Sequence, residues 1–329
     1  MINITTDPLT PADIAARLAA LQQPAAPATP AAEARQWRYV RPLSDTLEDY
    51  VTFLQDDADY YELGFTELDL WIRGIRPGEM WMISGFSHSG KTQVLLTSYV
   101  LNSDKPILHV TFDEPAELVL AKLVAMVLRR SSADLEEEIK RGDARTIDIV
   151  RSVAAERFAN LIVIDKPLTC GQLTDAVDEA QQFLQRRLQL VAIDYIGLLP
   201  SESETEASKA QELKRWLSAT QIPGVTIQQN SRSGGGPGEP VTITSGRYGG
   251  EQEATGIIGV RRKKDWKDLD EFEREAHRHT VSVSIVKNKR PPAKLGEFDY
   301  SMDENTGLIL PRHESPRASG APAWTRELR

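Results

Sequence analysis

A glycine-rich loop, Gly85–Thr92, constrains the fold of this chain more than any other stretch, because it matches the pattern G-x-x-x-x-G-K-T. A strand-like apolar run, Met80–Ser84, precedes the loop, and a helix-like run, Gln93–Leu101, follows it. In such a strand–loop–helix unit, backbone amides and the helix N-terminus surround phosphate groups. The stretch therefore predicts a phosphate-binding P-loop in an α/β protein.

Every position of this loop is a predicted nucleotide contact. The Lys91 ammonium is expected to reach the β- and γ-phosphates, and the Thr92 hydroxyl is expected to bind magnesium. ATP and Mg²⁺ are therefore the predicted cofactors. His88 occupies a variable position of the pattern and receives no catalytic role. The predicted contacts are Gly85, Phe86, Ser87, His88, Ser89, Gly90, Lys91 and Thr92.

Composition limits where a partner can bind. The 329 residues carry a formal net charge of -9, so a nucleic-acid contact is expected on a few loops or inside a pore. The single cysteine, Cys170, excludes an intramolecular disulfide and a cysteine-based zinc site. No apolar run approaches the length of a membrane span, and the N-terminus lacks a signal-peptide pattern. These features predict a cytoplasmic protein with no membrane partner.

Strand-like and helix-like runs alternate after the loop, which predicts a mostly parallel sheet flanked by helices. Helices are expected over about 116–140, 144–158, 172–187 and 207–219. Further strands are predicted at Ile257–Val260 and Val281–Val286, and an antiparallel hairpin is predicted near residues 298–310.

Ligands of parallel sheets collect at the carboxyl ends of the strands. Polar residues stand at four such ends, and their shared position is stronger evidence for a site than any one of them. The four groups are the P-loop, Asp113 with Glu114, Asp194, and Gln228 with Gln229.

The acids are the predicted catalytic and metal-binding groups. Asp194, at the end of an apolar strand, suits the acid behind the magnesium ion, although such a residue can also cap a turn. Asp113 and Glu114 could hold the attacking water as general base, and Glu114 is favoured because its side chain is longer. Two acids before a proline can equally cap a helix.

Two more groups are candidates for nucleotide sensing. Gln228 or Gln229 could sense the γ-phosphate, and only one of these neighbours can face it, because strand residues alternate between faces. Lys287, Lys289 and Arg290 follow a strand and could reach the γ-phosphate of a neighbouring subunit. A solvated basic turn is the alternative for this second group.

Glycine-rich segments between residues 231 and 255 carry the predicted nucleic-acid contacts. Arg232, Arg247 and Tyr248 combine positive charge with an aromatic ring on flexible loops, which suits a single strand's phosphates and bases. An ordinary surface loop is the alternative. The basic run Arg261–Lys264 is assigned to a solvated strand end.

Several segments resemble the motor domain of DnaB-like replicative helicases. Gly64–Asp69 and Gly74–Glu79 are similar to the "TGF-x-x-LD … GG-x-x-PG" lead of that family. The other similar segments are Ile193–Leu198 to its "IDYLQL" (Walker B), Thr226–Arg232 to its "LSQLNR", and Val286–Arg290 to its "KNRNG" turn. The resemblance covers about residues 62–310.

This chain departs from the family pattern in three places. The family's "SLEM" glutamate falls at Asp113 by direct register, whereas Thr111–Glu114 is also similar to the Thr-Phe-Glu-Glu of KaiC-type ATPases. The trans-acting finger falls at Lys289 by register, with Arg290 adjacent. The family's N-terminal primase-binding domain has no room ahead of Gly64, which fits a compact phage-type helicase.

The resemblance implies a RecA-like core that hydrolyses ATP as a ring-shaped homo-oligomer, expected to be a hexamer, and moves on single-stranded DNA in replication. Primase or a loader are the expected replication partners. Two alternatives stay open: a RecA/KaiC-type DNA-dependent ATPase without unwinding activity, and a nucleotide-gated loader or scaffold with negligible turnover.

Three parts are predicted along the chain. Residues 1–35 hold a short helix and a Pro/Ala-rich linker, residues 36–310 form the motor domain, and residues 311–329 form a disordered tail. The N-terminal helix is either part of a partly disordered tail or an arm that packs on a neighbouring subunit.

Overall fold

The computed structural model divides the chain into two compact units, Met1–Gln55 and Asp56–Arg329. It describes residues 43–47, 50–52, 60–201, 205–230, 236, 238–243 and 250–311. In the first unit, the described part contains a 3-10 turn, Leu43–Thr46. The N-terminal helix and linker predicted in residues 1–35 lie outside the described residues, as does the predicted tail after Pro311.

Nine strands of the described chain form one sheet in the second unit. Its order is β3-β2-β4-β5-β1-β6-β7-β8-β9, and the strands from β3 to β6 in that order are parallel. β7, β8 and β9 extend the sheet antiparallel. The predicted parallel core and C-terminal antiparallel hairpin are confirmed. The strands are β1 (Met80–Gly85), β2 (Ile107–Thr111), β3 (Leu161–Ile164), β4 (Leu190–Asp194), β5 (Gly224–Gln229), β6 (Gly256–Arg262), β7 (Thr280–Asn288), β8 (Gly296–Met302) and β9 (Ile309–Pro311).

Helices connect and cover the strands. The described helices are α1 (Thr66–Ile72), α2 (Lys91–Leu101), α3 (Ala116–Leu128), α4 (Ser132–Lys140), α5 (Ala144–Arg157), α6 (Cys170–Leu184), α7 (Glu206–Thr220) and α8 (Glu271–Ala276). None of these described helices is long and apolar enough to cross a membrane.

One predicted helix is two helices in the structure. The run expected over residues 116–140 stops at Leu128, where Arg129 takes a left-handed conformation (φ 54°) and its amide bonds the Ala125 carbonyl. Such a left-handed residue closes a helix C-terminus. α6 begins two residues earlier than predicted, because Thr169 and Gln172 form a capping box there.

The sheet separates two hydrophobic cores. Side chains of β1 alternate between them, so Trp81 and Ile83 pack with α2, α3 and α5, whereas Met80 and Met82 pack with α6 and α7. Both faces of the parallel strands are therefore buried, which explains why β1 begins with four apolar residues in succession, Met80–Ile83. The carboxyl ends of the central strands emerge together between these layers.

Candidate nucleotide site

The P-loop leaves the carboxyl end of β1 and turns tightly into α2. Gly85 permits a close approach: a Cβ there would lie 2.4 Å from the Val260 carbonyl oxygen and 2.5 Å from the Ser89 hydroxyl. Gly90 has φ 101°, a left-handed conformation that favours glycine, and it caps the N-terminus of α2. Across the loop, the Lys91 ammonium donates to the Phe86 carbonyl at 2.8 Å.

A cavity of about 420 Å³ lies against this loop and joins the strand ends that the sequence singled out. The predicted site residues that line it are Ser87, His88, Gly90, Lys91, Thr92, Asp113, Glu114, Asp194 and Gln229. Six further residues complete the lining: Gln93, Lys122, Tyr195, Ile227, Arg262 and Met302. Parallel strands of one sheet thus bring all four predicted groups to one place.

Thr92 and Asp194 form a pair of oxygen ligands in the cavity. The Thr92 hydroxyl donates to Asp194 Oδ2 at 3.0 Å. Burial raises the pKa of Asp194 to about 6, with the Glu114 and Asp113 charges adding to the rise and the bond from Thr92 opposing it. Burial also lowers the pKa of Lys91 to about 8. The Asp194 carboxylate and the Lys91 ammonium are therefore both poorly solvated. A cation would stabilise the carboxylate, and phosphates would stabilise the ammonium.

This oxygen pair fits Mg²⁺. A hydroxyl and a carboxylate are hard oxygen ligands, and Mg²⁺ commonly takes one or two protein ligands and fills its shell with phosphate oxygens and water. Among the described residues, no cluster of three or more His, Cys, Asp and Glu side chains could hold a metal alone. The site therefore suits a metal that arrives together with a nucleotide.

The two neighbouring acids differ in their surroundings. Glu114 lines the cavity with its carboxylate in an ion pair with Lys122 of α3. Its backbone is fixed by Thr111, whose hydroxyl accepts from the Glu114 amide at 3.2 Å and donates to the Glu114 carbonyl at 3.0 Å. Asp113 is exposed and also lines the cavity. Both acids therefore reach the site.

The two glutamines of β5 face opposite sides, as the alternation of strand residues requires. Gln228 pairs with Ser84 in the β1–β5 register and is fully buried. Gln229 pairs with Gly85, lines the cavity and donates to the Ser87 hydroxyl of the P-loop. The structure therefore places Gln229, and not Gln228, at the cavity.

The basic turn after β7 lies at the opposite edge of the sheet from the P-loop of the same chain. β7 is antiparallel to β6, and its last residue, Asn288, pairs with Gly256 at the start of β6. The Lys289 amide then donates to the Thr255 carbonyl at 3.0 Å, and the Thr255 amide donates to the Met80 carbonyl at 2.8 Å. The turn thus stands beside the first residue of β1, whereas the P-loop follows the last.

The three predicted cations, Lys287 within β7 and Lys289 and Arg290 after it, have different environments. Arg290 is held inside its own chain by the carbonyls of Ile72 and Gly74. The Lys287 ammonium donates to backbone carbonyls of the 251–252 segment at 2.6 and 3.0 Å. Lys289 is exposed, and its ammonium donates to the Gln252 carbonyl at 3.0 Å. Lys289 is therefore the most accessible of the three cations.

The predicted nucleic-acid contacts, Arg232, Arg247 and Tyr248, lie outside the described residues. The start of their segment is described: the Asn230 amide donates to the Gly85 carbonyl at 3.0 Å, and the Asn230 side chain accepts from the Ser84 hydroxyl at 2.6 Å. The glycine-rich segment therefore leaves the sheet directly beside the P-loop.

Sequence reasoning missed Arg262, which it had assigned to a solvated strand end. Its side chain is 8% exposed, lines the cavity, and donates to the Arg278 carbonyl at 2.8 Å. The neighbouring Arg261 points away from this cavity, pairs with Glu297 and stacks on the Trp266 ring. The place of Arg262 in the sequence could have indicated the cavity. Arg262 is the last residue of β6, which is parallel to β1, so it lies at the same carboxyl edge of the sheet as the P-loop.

A parallel core, a P-loop after β1 and a threonine–aspartate pair across the cavity define a domain of the P-loop nucleotide-binding class. Within that class, the family model of the DnaB-like helicase C-terminal domain matches residues 61–303. The chain belongs to this DnaB-like family.

Curated relatives and solved structures are similar to this chain. The replicative DNA helicase DnaB of Haemophilus influenzae is 24% identical over 222 residues, covering 63% of this chain and 47% of the relative. The DnaB of Treponema pallidum is 23% identical over 224 residues, covering 64% of this chain and 50% of the relative. The chain thus spans about half the length of these relatives.

Two solved structures share the fold at 16% identity. One is described as an ATPase domain; it has a TM-score of 0.68, and the match covers 81% of this chain and 97% of that one. The other is described as a DnaB-like replicative helicase with its interactions with primase; it has a TM-score of 0.66, and the match covers 82% of this chain and 67% of that one.

Proposed function

We propose that this protein is an ATP-dependent helicase or translocase that acts on single-stranded DNA in replication. It works as a ring-shaped homo-oligomer, a hexamer, and hydrolyses ATP at its subunit interfaces. One observation carries the proposal: the P-loop, Thr92 and Asp194 share a cavity at one edge of the sheet, whereas the exposed Lys289 stands at the opposite edge. Membership of the DnaB-like family and the names of the curated relatives support it.

The groups that bind the nucleotide act first. Lys91 would hold the β- and γ-phosphates, and Thr92 and Asp194 would hold Mg²⁺, which would neutralise charge that develops on the phosphates. Asp113 or Glu114 orients the attacking water, because both line the same cavity. Gln229 contacts the P-loop at Ser87 and reports loss of the γ-phosphate to the segment that begins at Asn230.

The remaining groups act between molecules. Lys289 of one subunit completes the site of the next, and its positive charge stabilises the transferring phosphoryl group. Arg232, Arg247 and Tyr248 face the channel and contact the DNA strand. Primase is a proposed partner, since one structural relative is described together with primase. A loader is proposed only because the family resemblance implies one.

A nucleotide-dependent unwinding assay tests this function. Wild-type protein is expected to release phosphate faster with single-stranded DNA and to displace one strand of a forked duplex. Lys91→Ala should lose both activities. Lys140→Ala serves as the matched control, because Lys140 ends α4, is 77% exposed and lies outside the cavity lining.

Other outcomes would replace the proposal. DNA-stimulated hydrolysis without strand displacement would indicate a RecA/KaiC-type ATPase. Absence of hydrolysis in the wild-type protein, with ATP still bound, would indicate a nucleotide-gated loader or scaffold. A protein that stays monomeric with ATP analogue, Mg²⁺ and single-stranded DNA would contradict the ring.

A further inference from the structure

The connection from β5 to β6 is attached to the sheet part of the way along its length. Val241 of this connection is buried, with 7% of its surface exposed. It packs on β6 at Gly259, where an added Cβ would lie 2.8 Å from the Val241 Cβ. A glycine inside a strand commonly marks such a close approach of another part of the chain. Residues 238–241 are called the docked stretch below.

Gly238 brings the backbone of the docked stretch onto the turn that follows β6. A Cβ at Gly238 would lie 1.8 Å from the Asp265 carbonyl oxygen and 2.8 Å from the Trp266 Cα. These are backbone atoms, which cannot rotate away, so the contact requires glycine. Glu239 and Lys267 add an ion pair of 2.6 Å, but both side chains are largely exposed, so the pair contributes little. Close packing of the backbone therefore holds the docked stretch in place.

The strand end beneath the docked stretch also borders the nucleotide cavity. Arg261 faces the docked stretch, and its guanidinium lies 3.5 Å from the Gly238 carbonyl oxygen. The next residue, Arg262, faces the other side of the sheet and lines the cavity. Between the docked stretch and the P-loop, the Val260 carbonyl lies so close to Gly85 that no Cβ would fit there. The end of β6 is thus in contact with both the docked stretch and the nucleotide site.

The docked stretch divides the predicted DNA contacts into two groups along the chain. Arg232 precedes it, whereas Arg247 and Tyr248 follow it. A connection that is fixed part of the way along consists of two shorter segments, and each has fewer conformations to lose when it is ordered. Groups that are positioned before a ligand arrives bind it more tightly. The attachment would therefore lower the entropic cost of placing both groups on one DNA strand.

We propose that the docked stretch is a positioning element for single-stranded DNA, and that its attachment to the end of β6 links both groups of DNA contacts to the nucleotide cavity. The inference rests on the proposed function, which assigns the DNA contacts to this connection. It adds a second attachment to the one at Asn230, where the connection begins beside the P-loop. Gly238 and Val241 are positioning residues, because neither of them lines the nucleotide cavity.

Two glycine-to-alanine variants in the same connection test this role. The Cβ of Gly238→Ala would meet backbone at 1.8 Å, whereas the Cβ of Gly236→Ala would meet nothing within 4 Å. Phosphate release is measured without DNA and over a range of single-stranded DNA concentrations. Gly238→Ala should raise the DNA concentration that gives half-maximal stimulation about 10-fold and leave the DNA-free rate within about 2-fold of wild type. Gly236→Ala is the matched control and should leave both values within about 2-fold.

Hydrogen exchange shows whether the docked stretch has been released. The backbone amides of residues 239–243 should exchange about 10-fold faster in Gly238→Ala than in Gly236→Ala, because the inserted Cβ separates the stretch from the turn after β6. Faster exchange with unchanged stimulation by DNA would overturn the inference. Unchanged exchange would overturn it as well, because the attachment would then not depend on Gly238.

The remaining outcomes separate this inference from the proposed function. A wild-type protein whose hydrolysis does not respond to DNA would refute the proposed function. If wild type responds, equal values for the two glycine variants would overturn only the inference. A fall in the DNA-free rate that accounts for the whole loss of stimulation would also overturn it, because the stretch would then support the nucleotide site alone.

A second variant decides if Gly238→Ala fails to fold. Val241→Ala removes apolar contacts on β6 without inserting an atom. It should raise the half-maximal DNA concentration about 3-fold and leave the DNA-free rate within about 2-fold of wild type. An unchanged half-maximal concentration would contradict the proposal.

Discussion

Sharing of the site between subunits can be tested by mixing two inactive variants. The P-loop and Lys289 of one chain are separated by the length of β1: Lys289 is bonded beside Met80 through Thr255, and the P-loop starts at Gly85. Five strand residues at ~3.3 Å each give roughly 17 Å, which exceeds the reach of the four-carbon lysine stem. Lys289 therefore cannot serve its own P-loop.

The expected magnitude follows from this geometry. Lys91→Ala removes the binding half of a site, and Lys289→Ala removes the half donated to the next subunit. In rings formed from a 1:1 mixture, one of four possible subunit pairings joins an intact loop to an intact turn. The mixture should therefore reach about a quarter of wild-type hydrolysis if interfaces act independently, while each variant alone is nearly inactive.

The assay measures DNA-stimulated phosphate release after the two proteins are mixed before ring assembly. A 1:1 mixture of wild type with Lys91→Ala calibrates the exchange and should give about half of wild-type activity. A mixture of the two variants that stays inactive, despite this calibration, would refute the reasoning. Full activity of Lys289→Ala alone would refute it as well.

Three further predictions concern stability and chemistry. Burial lowers the pKa of His109 to about 4, so the unfolded chain binds a proton more readily than the folded one, and stability is lost as pH falls from about 6.5 toward 4. When urea unfolding is compared at pH 7.5 and pH 5, the free energy of unfolding of His109→Gln should fall by about 2 kcal/mol less than that of wild type. Equal falls in the two proteins would contradict this. Gly256→Ala places a Cβ 2.3 Å from the buried ring of Trp81 and should lower the free energy of unfolding by about 1–3 kcal/mol. Gly171→Ala is the control and should leave the free energy of unfolding unchanged, because its Cβ would meet nothing closer than 3.8 Å. The water-orienting acid is identified by kcat: Asp113→Asn or Glu114→Gln should lower it about 100-fold with ATP still bound, and unchanged kcat in both variants would exclude this role for either acid.

The parallel core was predictable because its signals are local. An apolar run followed by a turn and a helical run marks each βα unit, and β1 shows this pattern without a polar residue until Ser84. The convergence of Asp194 with the P-loop also followed, since parallel strands end at one edge. The parallel core could therefore be predicted, because each strand and its end are marked by local sequence.

The features that escaped prediction depend on contacts distant in sequence. The face of Gln229 is set by its register with β1, and the burial of Arg262 is set by β7 and the Arg278 carbonyl. The helix ends before Arg129, where the sequence has no glycine or proline to indicate an end. The left-handed conformation of Arg129 is stabilised by the bond from its amide to the Ala125 carbonyl. α1 was not predicted, although it begins within Gly64–Asp69, one of the segments that resemble the helicase family.

The first reversal of strand direction in the sheet, at β7, has a consequence for mixtures of molecules. It turns the chain back, so the donating group and the receiving loop of one copy face away from each other. If the site is shared as proposed, dilution to monomers abolishes ATP hydrolysis, since an isolated copy has two half-sites and no complete one. A copy that carries both Lys91→Ala and Lys289→Ala would also silence two interfaces, its own and that of its neighbour, so hydrolysis by mixed rings would fall as about the square of the intact fraction if interfaces act independently.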